Sequence, residues 1–218
     1  MASRSILWFR RDLRLADNPA LLVAIASSEE IVPVFILDNK LIEVTGSKRL
    51  AYLGQSLRAL DQSLGNSLHV MVGDQVEVLR ELKQRYQATS VHIAAEYEPY
   101  GVARDARVEA AGIALTRTGS PYAIAPGDVR KPSDGTPYKV FTPFYIAWCM
   151  HGWPSPAMTP KNIKAVMPNE EDRNFPDWSI PKEAKIQTAG EFAAHARWNY
   201  FQGTLLDDYD VTRNLTGD

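Results

Sequence analysis

The sequence is poor in cysteine and shows no excess of charge of one sign, and both absences narrow the class of protein. Cys149 is the only cysteine among 218 residues, which excludes an internal disulfide and a cysteine-based metal site. The four histidines lie far apart along the chain, so no pair has the spacing of metal ligands and we expect no metal. Lys and Arg number 24 against 26 Asp and Glu, a balance without the basic excess of a large nucleic-acid surface.

Long apolar runs and the common nucleotide-binding motifs are also missing. No stretch reaches the roughly 18 apolar residues of a membrane span, and the N-terminus has no secretory segment. We therefore expect a cytoplasmic protein without a membrane partner. The sequence has no G-x-G-x-x-G, no Walker lysine loop and no G-x-S-x-G, which disfavours a dinucleotide-binding domain, a P-loop enzyme and a serine hydrolase.

The first half of the chain alternates short apolar runs with amphipathic helical patterns. The apolar runs predict five buried strands, at 5–11, 31–37, 68–72, 90–95 and 113–117. The segments between them are long enough for crossovers that contain a helix, which permits parallel pairing. Asn18 and Pro19 predict the start of the first of these helices. The pattern predicts an α/β fold with a doubly wound, Rossmann-like, five-stranded parallel sheet in the order 3-2-1-4-5.

The composition changes after the fifth strand. Six of the 14 prolines lie between Trp153 and Pro181, which predicts an extended connector. Trp153 and Trp178 indicate that this connector lies on a surface. A helical pattern returns at Thr188, which with Glu191 predicts a capping box at the start of a C-terminal helix. We divide the chain into an α/β domain at 1–130, a helix and proline-rich linker at 131–187, and a C-terminal helical segment at 188–218.

A ligand site is expected where the strand order reverses, between strands 1 and 4, at the carboxyl ends of the strands. Arg10 and Arg11 follow strand 1, residues 96–101 follow strand 4, and strand 2 contributes residues 35–38. This mixture of arginines, carboxylates and aromatics suits a planar ligand with polar edges. The same arginines could instead form a structural ion cluster with Glu96, Glu98 or Asp12, and the residues alone leave both interpretations open.

Residues 7–18, LWFRRDLRLADN, closely resemble the opening of the DNA photolyase/cryptochrome family. Residues 34–38 (VFILD), 98–105 (EPYGVARD) and 137–144 (PYKVFTPF) agree with the family in order and spacing. The resemblance implies an N-terminal α/β domain that holds a light-harvesting antenna pigment. It also implies a larger helical domain, C-terminal to this one, which carries catalytic FAD and binds damaged DNA. The chain thus resembles a truncated DNA photolyase that retains the N-terminal α/β domain.

The resemblance also implies which pigment binds and where. The Glu-Pro-Tyr-Gly form looks like that of members which bind 8-hydroxy-5-deazaflavin or FMN, whereas folate-binding members look to carry Asn-Glu where Tyr100-Gly101 stands. Methenyltetrahydrofolate is therefore less expected. Carried over residue by residue, the candidate pocket consists of Arg11, Phe35, Leu37, Asp38, Arg49, Glu96 and Glu98.

Each candidate has an implied role. The two arginines would anchor polar edges of the pigment, Phe35 would stack on its ring, and Leu37 would offer its backbone. The three carboxylates would accept hydrogen bonds from ring or ribityl groups. Tyr209, ahead of Arg213, resembles the first FAD-contacting stretch of the family.

On this resemblance the parent protein repairs pyrimidine dimers with light, and this chain supplies its antenna. The helical domain would follow Asp218, so the chain alone has no predicted catalytic residue and is expected not to repair DNA. Its implied partners are that domain and, only through it, damaged DNA. Two alternatives stay open. One is the N-terminal domain of a cryptochrome-like photosensor. The other is a stand-alone nucleotide-binding Rossmann-like domain with ATP or AMP at the same switch point.

Overall fold

A computed structural model describes residues 2–182 and 184–214. Its central feature is a five-stranded parallel sheet in the order β3-β2-β1-β4-β5, which confirms the predicted fold class and strand order. The strands are β1 (Arg4–Phe9), β2 (Glu30–Leu37), β3 (His69–Val72), β4 (Ser90–Ile93) and β5 (Leu115–Arg117).

Helices cover both faces of this sheet and bury an apolar cluster on each side. They are α1 (Pro19–Ser27), α2 (Asn39–Glu43), α3 (Ser47–Ser63), α4 (Gln75–Tyr86), α5 (Pro99–Ala110), α6 (Phe141–His151), α7 (Glu191–Tyr200) and α8 (Tyr209–Thr212). A 3-10 turn (Glu170–Asp172) and a π-helical turn (Phe201–Leu205) complete the elements. The five-residue α2 was not predicted, because one turn is too short to show a helical period. Across the described residues, no helix combines the length and the apolar character needed to cross a bilayer.

Asn18 fixes the start of α1 and closes the loop that follows β1. Its side-chain carbonyl accepts a hydrogen bond from the backbone N–H of Leu21 at 3.1 Å, and Pro19 follows in the first turn, as predicted. Its amide group donates to the carbonyl of Arg14 at 3.0 Å. Asn18 is buried, so these bonds are shielded from water. The loop that carries Arg10 and Arg11 is thereby held at both ends.

We expect Asn18→Ala to lower the free energy of unfolding by about 2 kcal/mol, because it removes a helix cap and leaves buried backbone groups without partners. Urea denaturation followed by circular dichroism measures the change. Asn39→Ala is the matched control, since Asn39 is exposed on α2 and its loss should change the free energy by at most about 0.5 kcal/mol. Equal effects of the two substitutions would contradict the capping argument.

The proline-rich connector lies against the α/β unit, as its composition predicts. The backbone of Ile31 exchanges hydrogen bonds with Lys164 and Val166, both at 2.9 Å. Further along, Arg173 donates to the carboxylate of Asp61 at 2.7 Å. These bonds hold the connector on the surface at several points. The division at 130 and 187 stays a prediction.

The predicted capping box at Thr188 and Glu191 is wrong. Helix α7 begins at Glu191 with Gly190 as its N-cap residue, and no side chain caps it. The Glu191 carboxylate instead accepts hydrogen bonds from the backbone N–H groups of Leu15 and Ala16, at 2.8 and 2.9 Å. A contact across 175 or more residues of chain has therefore taken the acceptor that a local cap would use. Such competition leaves no trace in the local sequence pattern.

Candidate functional site

A cleft of about 340 Å³ opens at the carboxyl ends of β1, β2 and β4, which we call the switch-point cleft. It lies where the strand order reverses around β1, the position expected for a ligand in an open α/β sheet. Its volume falls within the range of small-molecule sites. Its lining residues are Trp8, Phe9, Arg10, Arg11, Phe35, Ile36, Asp38, Leu41, Gln75, Glu96, Glu98, Tyr100, Gly101 and Arg104.

Two arginines and two carboxylates form a buried charge network at the floor of the cleft. Arg10 donates to Asp105 at 2.7 Å and forms an ion pair with Glu96 at 3.2 Å. Arg104 reaches the same two carboxylates, at 2.8 Å to Asp105 and 3.4 Å to Glu96. Burial, followed by the charge of Arg104, lowers the pKa of Arg10. The guanidinium nevertheless stays charged, because arginine is not deprotonated in proteins. The network ties the ends of β1 and β4 to α5.

Both guanidinium groups of this network lie close to the indole of Trp8. The guanidinium carbon of Arg10 is 5.1 Å from the ring centroid, and that of Arg104 is 4.8 Å away. Both distances fit cation–π contacts, which gain strength when water is excluded. Trp8 and Arg10 share a face of the sheet because they are two residues apart on and just after β1.

The rim of the cleft carries a second set of polar groups. Arg11 pairs with Glu98, and this hydrogen bond raises the pKa of Arg11. Asp38 caps α2 by accepting from the backbone of Lys40, and it also accepts from the Gln75 amide at 2.7 Å. The hydroxyl group of Tyr100 donates a hydrogen bond to the Asp38 carboxylate. Burial and then this bond raise the pKa of Tyr100 to about 12, so the phenol is neutral at physiological pH.

Gly101 allows α5 to approach Glu96 closely. A Cβ atom at position 101 would lie 2.3 Å from Oε2 of Glu96 and 3.0 Å from its Cβ. Two buried atoms of the network, Glu96 Oε1 and Arg10 Nε, face each other at 3.2 Å as an ion pair, and neither makes a well-aligned hydrogen bond within the described part of the chain. The cleft therefore combines a charged floor with apolar walls, which fits a planar ligand with polar edge atoms.

Five of the predicted site residues line the switch-point cleft: Arg11, Phe35, Asp38, Glu96 and Glu98. Leu37 instead belongs to a buried apolar cluster, and its carbonyl accepts from the backbone of Gly73 at 3.4 Å. Arg49 is exposed in the first turn of α3, away from the lining. Tyr209 begins α8, outside the cleft, with its ring edge-on to Phe201. The binding roles of all these residues stay predictions.

Sequence reasoning did not assign Trp8, Gln75 or Arg104 to the site. Trp8 and Arg104 lie within the motifs that carry the resemblance, and alternation along β1 could have placed Trp8 beside Arg10. Gln75 had no such signal. It reaches the cleft because it is the first residue of α4, just after the carboxyl end of β3, where its amide meets Asp38.

Comparisons with known proteins agree with this geometry. The family profile described as DNA photolyase matches residues 5–161. A deoxyribodipyrimidine photo-lyase from Synechococcus sp. is 32% identical over 240 residues, which cover 99% of this chain and 48% of that protein. The crystal structure of a class III photolyase from Agrobacterium tumefaciens has a TM-score of 0.80 at 28% identity, covering 98% of this chain and 47% of the other.

An archaeal photolyase from Sulfolobus tokodaii, whose crystal structure holds two FAD molecules and implies a novel light-harvesting cofactor, shares the fold. It superposes with a TM-score of 0.63 at 24% identity, covering 75% of this chain and 38% of that one.

The chain spans about half the length of the photolyases it matches. The region matched by the family profile contains all of the parallel sheet except Arg4, together with α6 and every residue that lines the switch-point cleft. The parallel sheet belongs to the fold that this chain shares with the solved class III photolyase. The family match covers well over half of the chain. The chain therefore belongs to the DNA photolyase family, of which it forms the N-terminal α/β domain.

Proposed function

We propose that this chain is the light-harvesting domain of a DNA photolyase and that its antenna pigment binds in the switch-point cleft. The observation that carries the proposal is the cleft itself. It combines aromatic and aliphatic walls with hydrogen-bonding groups at its floor and rim, in the N-terminal domain of the family. A planar conjugated ring with polar edges needs both kinds of surface.

The residues present fit such a pigment. Phe35 and Leu41 offer apolar surface to a ring, and the Glu96 carboxylate lies at the cleft floor, ion-paired to Arg10 and Arg104. Asp38 and Glu98 would accept hydrogen bonds at the rim. When bound, the pigment absorbs near-ultraviolet or blue light and passes the excitation to a second chromophore. The protein's part is to bind it, orient it and keep water from its ring.

Among the pigments, we favour 8-hydroxy-5-deazaflavin or FMN over methenyltetrahydrofolate. The support is the Tyr100-Gly101 pair, which stands where folate-binding members look to carry Asn-Glu. In the structure Tyr100 is bonded to Asp38, and Gly101 leaves room for Glu96 on the cleft floor. An Asn-Glu pair at positions 100 and 101 would place the second side chain against Glu96 and would replace the phenol of Tyr100.

The activity of the whole protein belongs to the same proposal. We infer that a helical domain with FAD receives the excitation, splits pyrimidine dimers and contacts the damaged DNA, and that the protein works in the cytoplasm. The support is the length of the matching photolyases, about twice that of this chain. Tyr209 as part of an FAD site is a prediction within this scheme.

We expect the purified chain to bind 8-hydroxy-5-deazaflavin or FMN, with a shifted visible absorption band and changed fluorescence. FAD belongs in the same titration because the Sulfolobus tokodaii structure holds two copies of it. Phe35→Ala should weaken pigment binding about tenfold, because an aromatic stacking contact contributes about 1 kcal/mol beyond its buried area. Fluorescence titration measures the ratio of the two dissociation constants, that of Phe35→Ala and that of the parent chain, under conditions in which both proteins are folded.

Phe144→Ala is the matched control, since Phe144 lies on α6 outside the cleft lining. It should leave pigment affinity within about twofold of the parent value. Tight ATP binding without flavin or deazaflavin binding would favour the stand-alone nucleotide-binding domain. Folate bound more tightly than either flavin would overturn the choice of pigment.

A further inference from the structure

We infer that Glu191 is a positioning residue, which fixes the direction of helix α7 relative to the switch-point cleft. The inference rests on the proposed function, because in that scheme α7 begins the helical domain that carries FAD. Excitation transfer between two chromophores falls steeply with their distance and depends on their relative orientation. A helix attached rigidly to the wall of the pigment site sets both quantities for the domain that follows it.

The attachment is a pair of hydrogen bonds between the first residue of α7 and a loop of the α/β unit. One carboxylate oxygen of Glu191 accepts from the backbone N–H of Leu15 at 2.8 Å, and the other accepts from that of Ala16 at 2.9 Å. Leu15 and Ala16 belong to residues 12–18, which we call the β1–α1 loop. Because consecutive N–H groups engage both oxygens, the plane of the carboxylate is fixed as well as its position.

The residue before Glu191 packs closely against helix α3. Gly190 has a φ of +101°, a left-handed conformation that glycine adopts without strain. A Cβ atom at this position would lie 2.6 Å from the Cβ atom of Ala59, so the close approach to α3 requires glycine. Ala189, one residue earlier, is buried. The start of α7 is therefore held on two sides, by α3 and by the β1–α1 loop.

The rest of α7 is packed far less tightly. No residue of this helix is buried, and Phe192 and Trp198 are 88% and 54% exposed. Its 10 residues, at a rise of about 1.5 Å each, extend about 15 Å from the attached end. A small rotation at Glu191 therefore becomes a large displacement at the far end of the helix. The two hydrogen bonds at the start of α7 thus decide its direction.

The β1–α1 loop connects this attachment to the switch-point cleft. A second cavity, of about 640 Å³, lies between the loop, α3 and α7, and Arg10 and Arg11 line both cavities. The side chain of Asp17 in the same loop accepts a hydrogen bond from the backbone of Ala157 at 2.8 Å, which ties the loop to the proline-rich connector. The backbone that binds Glu191 is thus continuous with a wall of the pigment site and is itself anchored.

Two spin labels test the attachment without any pigment. Gln62→Cys on α3 and Asn199→Cys on α7 place the labels at exposed positions. Cys149→Ser removes the only native cysteine, which is exposed. Pulsed electron paramagnetic resonance then gives the distribution of distances between the labels. Glu191→Gln should at least about double the width of this distribution, because the amide nitrogen cannot accept a hydrogen bond and one loop N–H loses its partner.

Two further variants separate positioning from a general effect of substitution. Glu191→Asp keeps the charge but is one methylene shorter, so its distribution should have a width between those of the parent and Glu191→Gln. Glu77→Gln is the matched control, since Glu77 lies exposed on α4 in an ion pair with Arg80, and it should leave the distribution unchanged. All distributions are recorded without denaturant, under conditions in which circular dichroism shows each variant folded.

Excitation transfer supplies the functional measurement. Flavin bound in the cleft is the donor, and a dye on Asn199→Cys in the same Cys149→Ser background is the acceptor. Glu191→Gln should broaden the distribution of donor lifetimes at least about twofold, while flavin affinity stays within about twofold of the parent value.

The two measurements distinguish failure of the inference from failure of the proposed function. An unchanged distribution of label distances in Glu191→Gln would overturn the inference and leave the proposed function standing. A broadened distribution in a chain that binds neither flavin nor deazaflavin would overturn the proposed function and leave the attachment of α7 standing.

Discussion

Replacing Arg10 by methionine is expected to lower the free energy of unfolding by about 3–5 kcal/mol, because it removes one partner from a buried charge network. Asp105 and Glu96 would then share Arg104. The only other cation in reach among the described residues is the half-exposed Arg117, 4.0 Å from Asp105, so the buried carboxylates would lose much of their compensation. Arg10 also donates to the carbonyl of Ala94 at the end of β4, and that bond is lost as well. Methionine matches the length of the arginine stem and fills part of the space.

Urea denaturation of the parent chain and the variant measures this loss. Arg80→Met is the matched control, since Arg80 makes an exposed ion pair with Glu77 on α4 and its loss should cost at most about 1 kcal/mol. Arg10→Lys keeps the charge but not the forked geometry, so it should fall between the two. If the methionine variant does not fold, the lysine variant carries the comparison. A cost for either Arg10 variant equal to that of Arg80→Met would contradict the argument.

The sheet could be predicted because its signals are local and repeated. Each strand is a short apolar run, each crossover carries a helical period, and Asn18 and Asp74 cap their helices with their own side chains, at 3.1 and 2.9 Å. The predictions fail where a residue far away along the chain binds the side chain in question. Glu191 has the spacing of a capping residue, yet it binds backbone groups of the loop after β1. Helix α2 has only five residues and is capped by a single side chain, that of Asp38, so it is too short to show a helical period.

The position of the site followed from topology, whereas its internal pairing did not. The switch-point rule places the ends of β1, β2 and β4 together, so Arg11, Phe35 and Asp38 meet as expected. The sequence could not say which arginine pairs with which carboxylate. In the structure, Arg11 pairs with Glu98, whereas Arg10 pairs with both Glu96 and Asp105. Asp105, the seventh residue of α5, was absent from the predicted cluster.

Gly101→Ala should lower the free energy of unfolding by about 2 kcal/mol and weaken pigment binding at least about thirtyfold. Gly101 lies in the first turn of α5, and alanine is ordinarily more favourable than glycine in helices, by up to about 1 kcal/mol in their interior, so the expected sign is the reverse of the usual one. The reason is steric. The new Cβ would lie 2.3 Å from an oxygen of Glu96. Glu96 is held there by ion pairs to Arg10 and Arg104, so it cannot move aside without breaking them.

Gly203→Ala supplies the matched control, because a Cβ at that position meets no atom within 4 Å. Its effect on stability should stay within about 0.5 kcal/mol, with pigment affinity unchanged. Denaturation and flavin titration of the two variants separate a general effect of alanine from the clash in the cleft. If Gly101→Ala stabilised the chain as helix propensity alone predicts, the tight approach of α5 to Glu96 would be wrong.

A double-mutant cycle with Glu96→Ala locates the cause of the Gly101 effect. Shortening Glu96 removes the carboxyl atoms that the new Cβ would meet and leaves only the Cβ of residue 96, at 3.0 Å, so Gly101→Ala should cost much less in that background. The two substitutions are then non-additive by up to about 2 kcal/mol in the free energy of unfolding. Additive effects would mean that residue 101 acts through the helix backbone rather than through Glu96. Pigment affinity should be weak in both single variants and no weaker in the double, since all three displace or remove the same carboxylate from the cleft floor.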